Sequence, residues 1–534
     1  MRTTYYNGLV YTGELPLVTA FAVEDGRFVA VGSDAELLAA DASEKVDLGG
    51  KFVCAGFNDS HMHLLNYGLS LCSVELGKHT NSLEEMLASI SDYIEDNHIP
   101  EGEWVTGRGW NQDYFTDVKR MPSRADLDRV STAHPICVTR CCGHCLAVNS
   151  KALEILGIDE GTVSPEGGKI GRENGQLDGR FYDNALGLVQ NRIPLSDKET
   201  LKNYVRKACR GLNSYGVTSS QTDDYCLFRQ IPCQQINEIY QELEAAGDLT
   251  VRVYEQCNFE TLSELQEFVE AGNMTGKGSD YFRIGPLKML GDGSLGARTA
   301  YLREPYSDEP ETIGLPIFNQ EQFDTMIGYA NAKGMQVAVH AIGDACLDNV
   351  LTAIEKALQE HPRADHRHGI VHCQITAADQ LQKIADLRLH VYAQSIFLDY
   401  DTHILEDRVG AERASTSYAW KTLMKKGVTV SNGTDCPVEL PNALAGMQCA
   451  VTRRSLNGDT VPYLPEEAFT IKEALDSYTI LGAYSSFMEH LKGRIAPNYL
   501  ADFVVLDQNL FEVAPDRIKE VQVLATYLGG ERVY

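Results

Sequence analysis

Gly56-Phe57-Asn58-Asp59-Ser60-His61-Met62-His63 follows directly on the apolar run Phe52-Val53-Cys54-Ala55. Together they read as a β-strand that runs into a polar end carrying two histidines. On an extended strand residues i and i+2 point the same way, so His61 and His63 face one centre. Two imidazoles on one side suit a divalent cation, but a lone His-x-His pair decides little.

The rest of the chain supplies the context. Short β-rich runs recur at 216–221, 251–255, 283–288, 336–340, 369–372, 389–394 and 428–431. Several end in glycine or polar residues: Thr222-Asp223-Asp224, Gly291-Asp292-Gly293 and Gly433-Thr434-Asp435. Helical patterns at 322–333, 347–358 and 377–385 lie between them. Strands alternating with helices imply a parallel sheet, and eight such units imply a closed (β/α)8 barrel. The expected barrel spans 51–494, with an insert at about 75–210 after the first strand. The ends, 1–50 and 495–534, are β-rich and are expected to form one composite β-sandwich. A hairpin across Glu24-Asp25-Gly26 and late strands at 502–506 and 521–525 belong to it.

Composition narrows the function. With 43% hydrophobic and 23% charged residues over 534 positions, the chain is neither disordered nor a small disulfide scaffold. Lysine and arginine number 47 against 75 aspartates and glutamates, a net charge of −28. Nucleic acid and anionic membranes both call for a basic face, so neither is an expected partner. No apolar run approaches the roughly 18 residues of a membrane span, and no leader pattern opens the chain. The expected compartment is the cytoplasm, where the 14 cysteines stay mostly thiols. Cys141, Cys142 and Cys145 lack a second Cys-x-x-Cys partner and read as small buried hydrophobes.

The candidate chemistry sits at strand ends. His340 ends the fifth run, His372 the sixth, and Asp435 follows the eighth. A barrel gathers the C-terminal ends of its strands on one rim, so these three would meet His61 and His63. His79, His98, His361, His366 and His403 lie in polar stretches and read as ordinary surface histidines. Lys288 closes the fourth run. Its amine is expected to pair with Asp292 or with substrate, or to be carbamylated by CO2 into an anionic bridge between two cations.

These residues resemble the amidohydrolase superfamily, in the branch that includes N-substituted formamide deformylases. The resemblance covers nearly the whole chain. It rests on the 56–63 motif, on the stretch 288–300, on His340-Ala341-Ile342-Gly343-Asp344 and on Val371-His372-Cys373-Gln374. Ser431-Asn432-Gly433-Thr434-Asp435-Cys436-Pro437-Val438-Glu439 and Gly493-Arg494-Ile495-Ala496-Pro497 complete it. It implies a barrel with a sandwich, and two divalent cations, usually zinc. His61, His63 and Asp435 would hold one, His340 and His372 the other, and Lys288 would bridge them. It implies hydrolysis of an amide-type C–N bond of a small molecule, with Asp435 and His372 catalytic. A homodimer is left open. Two positions depart from the family pattern: Ile370 and Val371 stand where a glutamate is expected, and Gln394-Ser395 replaces Gln-Pro.

Expected substrate contacts are Trp110, His144, Asp292, Arg298 and Gln394, with Asn111 and Asp113 beside Trp110. Two other functions compete. A mononuclear deaminase acting on a nucleobase-like ring would place a catalytic glutamate three residues past His340, where Gly343 stands. A non-catalytic barrel scaffold would have no need to keep the five ligand residues.

Overall fold

A computed structural model describes the chain except residues 1, 41–42, 79–80, 113, 141–144, 166–167, 191, 194–196, 227–229 and 459. Of residues 78, 183 and 184 it describes the backbone alone. His144, Asp113, His79, Cys141 and Cys142 therefore lie outside the described residues. The chain divides into two compact units. One comprises Met1–Asn66 and Val205–Tyr534; the other is Tyr67–Tyr204, inserted in sequence between the first and second strands of the main sheet.

The main sheet has eight strands, all parallel and paired in chain order. They are β1 (Phe57–Met62), β2 (Val217–Thr222), β3 (Arg252–Asn258), β4 (Phe282–Leu290), β5 (Val337–Ala341), β6 (Gly369–His372), β7 (His390–Ala393) and β8 (Thr429–Asn432). Most of their residues are fully buried, as expected of strands covered by helices on one side and barrel interior on the other. Helices Cys233–Ala246, Leu262–Glu270, Gln320–Ala332, Asp344–Glu360 and Ala378–Asp386 follow strands β2 to β6 in turn. Beyond β8 the chain returns to β1 through Asp435 N–H donating to His61 O at 2.8 Å and His63 N–H donating to Cys436 O at 2.8 Å. Those two bonds join the last strand's exit to the first strand and complete the (β/α)8 arrangement.

The first barrel strand starts later than the hydrophobic run suggests. Phe52–Ala55 instead pairs with Phe503–Leu506 and, through Phe52 and Val53, with Leu9–Val10, in a five-stranded sheet drawn from both chain ends. A second, four-stranded sheet holds the hairpin Ala20–Glu24 and Arg27–Gly32. Its two-residue turn has positive φ at both Asp25 (50°) and Gly26 (77°), the mirror-image turn that suits twisted strands. Tyr5, Phe21, Phe28 and Phe503 form the core the two sheets share. His366 is buried rather than superficial: its imidazole meets Leu387 O at 3.1 Å and takes the N–H of His368 at 2.9 Å.

The inserted unit is built on a six-stranded sheet. Trp110 has no exposed surface and lies in that unit's core with Leu76, Ile90, Phe115 and Val138.

A buried ion pair fixes the barrel's third strand to the terminal sheet. Arg252, at the start of β3, meets Asp502 through Nε–Oδ2 at 2.6 Å and Nη2–Oδ1 at 2.9 Å, with both side chains almost fully covered. Nearby, burial pushes the Lys492 amine down to about 7; Arg252 adds to the fall and Asp502 opposes it.

Both the pair and the lysine can be tested through stability. Asp502→Ala strands a buried guanidinium, so urea unfolding should show a loss of about 3–5 kcal/mol. Lys492 titrates lower in the folded chain than in the unfolded one, where an amine sits near 10.4. The unfolded chain then binds more protons between about pH 7 and pH 10, and stability rises with pH across that window. Lys492→Met should flatten the rise, read as the urea midpoint against pH.

Candidate metal centre

Five of the six residues expected to bind metal cluster at the C-terminal end of the barrel, and the sixth, Lys288, is buried nearby. His61 is the fifth residue of β1, and His63 lies just beyond its end, so both project to one side with ring centroids 5.4 Å apart. His372 closes β6 and His340 is the penultimate residue of β5; these two rings lie 4.5 Å apart, edge to face. Asp435 arrives from the turn after β8. Its Oδ1 is 3.2 Å from His63 Nε2 and 3.5 Å from His61 Nε2. Ligand atoms of His61, His372 and Asp435 all lie within 4.8 Å of one another.

The outer nitrogens explain this orientation. His61 Nδ1 meets Gln256 Oε1 at 2.7 Å, His372 Nδ1 meets Gln394 Oε1 at 2.7 Å, and His63 Nδ1 meets Asp223 O at 2.8 Å. A carbonyl oxygen only accepts, so each Nδ1 carries a proton, and in a neutral ring the lone pair is then on Nε2. Burial pushes His61 and His372 well below the ordinary imidazole range, with Lys288 adding at His61 and His340 at His372. Burial acts on His63 in the same direction, but its contacts with Asp435 and Cys226 outweigh it and carry the ring above that range. Burial alone would raise the Asp435 carboxyl, but the surrounding imidazoles, His63 foremost, hold it well below the usual carboxylate range.

Lone pairs and a carboxylate thus converge in a space with few donors. Asp435 Oδ1 is buried against the His63 and His61 rings, and Lys288 Nζ has no hydrogen-bond partner among the described residues. An unpaired buried charge is costly unless a counter-charge supplies what hydrogen bonds do not. Imidazole nitrogens with a carboxylate are a standard donor set for a divalent cation, and three of the rings are fixed from behind by an acceptor. The residues fit a metal. His340 differs from the other rings: its Nε2 lies 3.1 Å from Gly293 O and 3.3 Å from Asp292 Oδ1.

Three residues at this place carry strained backbone. His372 (φ 75°), Cys373 (51°) and Asp435 (56°) hold left-handed conformations without being glycine. Such residues cost about 1–3 kcal/mol each and persist where surrounding structure dictates them. Asp59 supplies part of that structure: it is buried under Thr434 and accepts from Thr434 N at 3.0 Å, from the Thr434 hydroxyl and from His61 N at 3.3 Å. Burial raises its carboxyl to about 7. Gly433 is also required, since a Cβ there would lie 2.5 Å from His61 N.

The residues expected at the substrate have the following partners. Gln394 has no exposed surface; it orients His372 and donates its own Nε2 to Tyr392 O at 3.0 Å. Asp292 accepts from the backbone amides of Tyr301, Ile342 and Gly343 at 2.8–3.0 Å, which pins the loop after β5. Arg298 is paired with Asp308 at 2.8 Å and Glu309 at 3.3 Å. Trp110 is core of the inserted unit, and Arg140 Nη2 donates to Asn111 Oδ1 at 2.8 Å. Lys288 lies 3.6 Å from Asp223 Oδ2, so Asp223 rather than Asp292 is its acidic neighbour.

Four residues at the centre are not singled out by the sequence pattern: Gln256, Asp223, Cys226 and Asp59. Gln256 is hidden by a strand that reads as ending at 255, whereas β3 continues to Asn258 and carries it inward. Cys226 Sγ lies 3.6 Å from His63 Nδ1 and 3.4 Å from Asp223 O, and His63, Asp223 and Cys226 form a second group with converging ligand atoms.

Comparison with known proteins agrees with this geometry. The chain is 31% identical to the putative amidohydrolase YtcJ of Bacillus subtilis over 100% of its own length and 99% of the relative's. It is 26% identical to the N-substituted formamide deformylase of Arthrobacter pascens, covering 96% and 94% of the two chains. Among solved structures, an uncharacterized metal-dependent hydrolase from Pyrococcus furiosus superposes with a TM-score of 0.78 at 29% identity, over 96% of this chain and 100% of the other. Its counterpart from Pyrococcus horikoshii gives 0.80 at 28% identity, over 96% and 99%. The amidohydrolase family model matches residues 44–534, and this chain, a hydrolase by that membership, belongs to the amidohydrolase family.

Proposed function

We propose that the chain hydrolyses an amide-type C–N bond of a small molecule at a centre of two divalent cations, zinc in the first instance. The observation that supports it most is the convergence of His61, His372 and Asp435 within 4.8 Å, with the outer nitrogens of His61, His63 and His372 already committed to acceptors. His61, His63 and Asp435 would hold one cation and His340 and His372 the other. Lys288 would join them as a carbamate; its Nζ is fully buried without a hydrogen bond, 3.6 Å from Asp223 Oδ2. Bound cations supply Lewis-acid activation of a water and of a carbonyl oxygen.

The chain's own contribution is proton handling and orientation. Asp435 faces the space between the rings, so its carboxylate is placed to take a proton from the attacking water and deliver it to the leaving nitrogen. The surrounding imidazoles keep it ionised, as a base must be at the start of the reaction. His372, fixed by Gln394, faces the same space and would position the carbonyl oxygen. The deaminase alternative is disfavoured on geometry. A Cβ at Gly343 would meet Tyr301 O at 2.0 Å, so no acid side chain fits at that position in this fold.

Three measurements bear on this reading. Chelation should abolish hydrolysis across a panel of small amides, and added Zn2+ should restore it; Asp435→Asn should stay folded yet lose at least about 100-fold in kcat, the scale of a lost general base. Undiminished turnover in that variant sinks the assignment. Intact-mass measurement in bicarbonate buffer should find one CO2 adduct per chain, absent from Lys288→Met.

A further inference from the structure

The two glutamines behind the imidazoles share a construction that goes beyond orientation. A glutamine amide is nearly symmetric in shape, and either end fits against a histidine. If Nε2 faced Nδ1, the histidine proton would move to the other ring nitrogen and the ligand lone pair would be lost. Here a second contact removes that choice. Gln256 Nε2 donates to Ser60 O at 3.1 Å, and Gln394 Nε2 donates to Tyr392 O at 3.0 Å. Backbone carbonyls only accept, so each amide is held with its oxygen toward the ring. Both glutamines have no exposed surface, so water cannot supply an alternative partner.

We infer that Gln256 and Gln394 are positioning residues that fix the tautomers of His61 and His372 and set the strength with which the centre holds its cations. The inference rests on the proposed metal centre. The order of dependence is specific: backbone carbonyl, amide orientation, imidazole tautomer, ligand lone pair. The acceptors are neutral amides, not carboxylates. A carboxylate behind an imidazole makes it a stronger donor to a cation, and an amide does so less. The site therefore holds cations more loosely than the same imidazoles backed by acids, and exchanging the amide for an isosteric acid should tighten it.

The test uses the full chain, stripped and reloaded with Zn2+, with affinity read by chelator competition and tautomers by 15N histidine NMR. Gln256→Leu and Gln394→Leu should each weaken Zn2+ roughly 10- to 100-fold. Gln256→Glu and Gln394→Glu should bind at least as tightly as the parent and release Zn2+ more slowly. The loaded parent should carry the proton of both rings on Nδ1. Parent-like affinity in folded leucine variants, or protons on Nε2, overturns the inference. If the leucine variants do not fold, release rates of the glutamate variants decide: release as fast as the parent's overturns it. A folded parent that binds no Zn2+ fails at the earlier step, because then no variant differs and the metal centre itself falls.

Discussion

Lone pairs that point at one another across a few ångströms of dry protein repel, and this chain aims several of them at a single space. His61 and His372 turn Nε2 inward, and His63 and the Asp435 carboxylate share the same space. Left to themselves these groups would rotate away. They do not, because each imidazole is gripped from behind and Asp435 is held by its own backbone N–H on His61 O. The arrangement is preorganised for a cation, and its electrostatic cost is the reason so many buried contacts surround it.

Those contacts also explain where the strain lies. The eighth strand must deliver Asp435 against the first, which demands a sharp turn through Gly433 and a left-handed Asp435. Asp59 offsets that by binding both the amide and the hydroxyl of Thr434. The same carboxylate accepts from His61 N, so barrel closure and ligand placement share one group. Arg252 and Asp502 play a comparable part at the other end of the strands, tying β3 to the terminal sheet.

Much of this was legible in the sequence, for reasons particular to barrels. Strand alternation gives parallel order, and parallel order puts every C-terminal strand end on one rim; His61, His340, His372 and Asp435 could thus be grouped across hundreds of residues. What stayed hidden were residues whose role depends on which neighbour they reach. Gln394 was legible as a pocket residue, but not as the clamp on His372, because a glutamine's orientation is decided by its partners. Asp292 and Arg298 lie in a family-like motif, yet one holds three backbone amides and the other two carboxylates. The strand boundary at Phe52 also misled: an apolar run continuous with β1 belongs to a different sheet, because nothing in its hydrophobicity separates a sandwich strand from a barrel strand.

The glycine at 343 shows how the loop after β5 constrains chemistry without contributing a side chain. It caps helix Asp344–Glu360, and its amide is one of the three that Asp292 accepts. Tyr301 O presses so close that only glycine fits. The backbone that would carry an acid beside His340 is committed to packing the loop from β4, and the acid in that loop that touches His340, Asp292, is saturated by amides. Under the proposed function, proton transfer would then fall to Asp435, the carboxylate among the ring nitrogens and the residue whose placement closes the barrel.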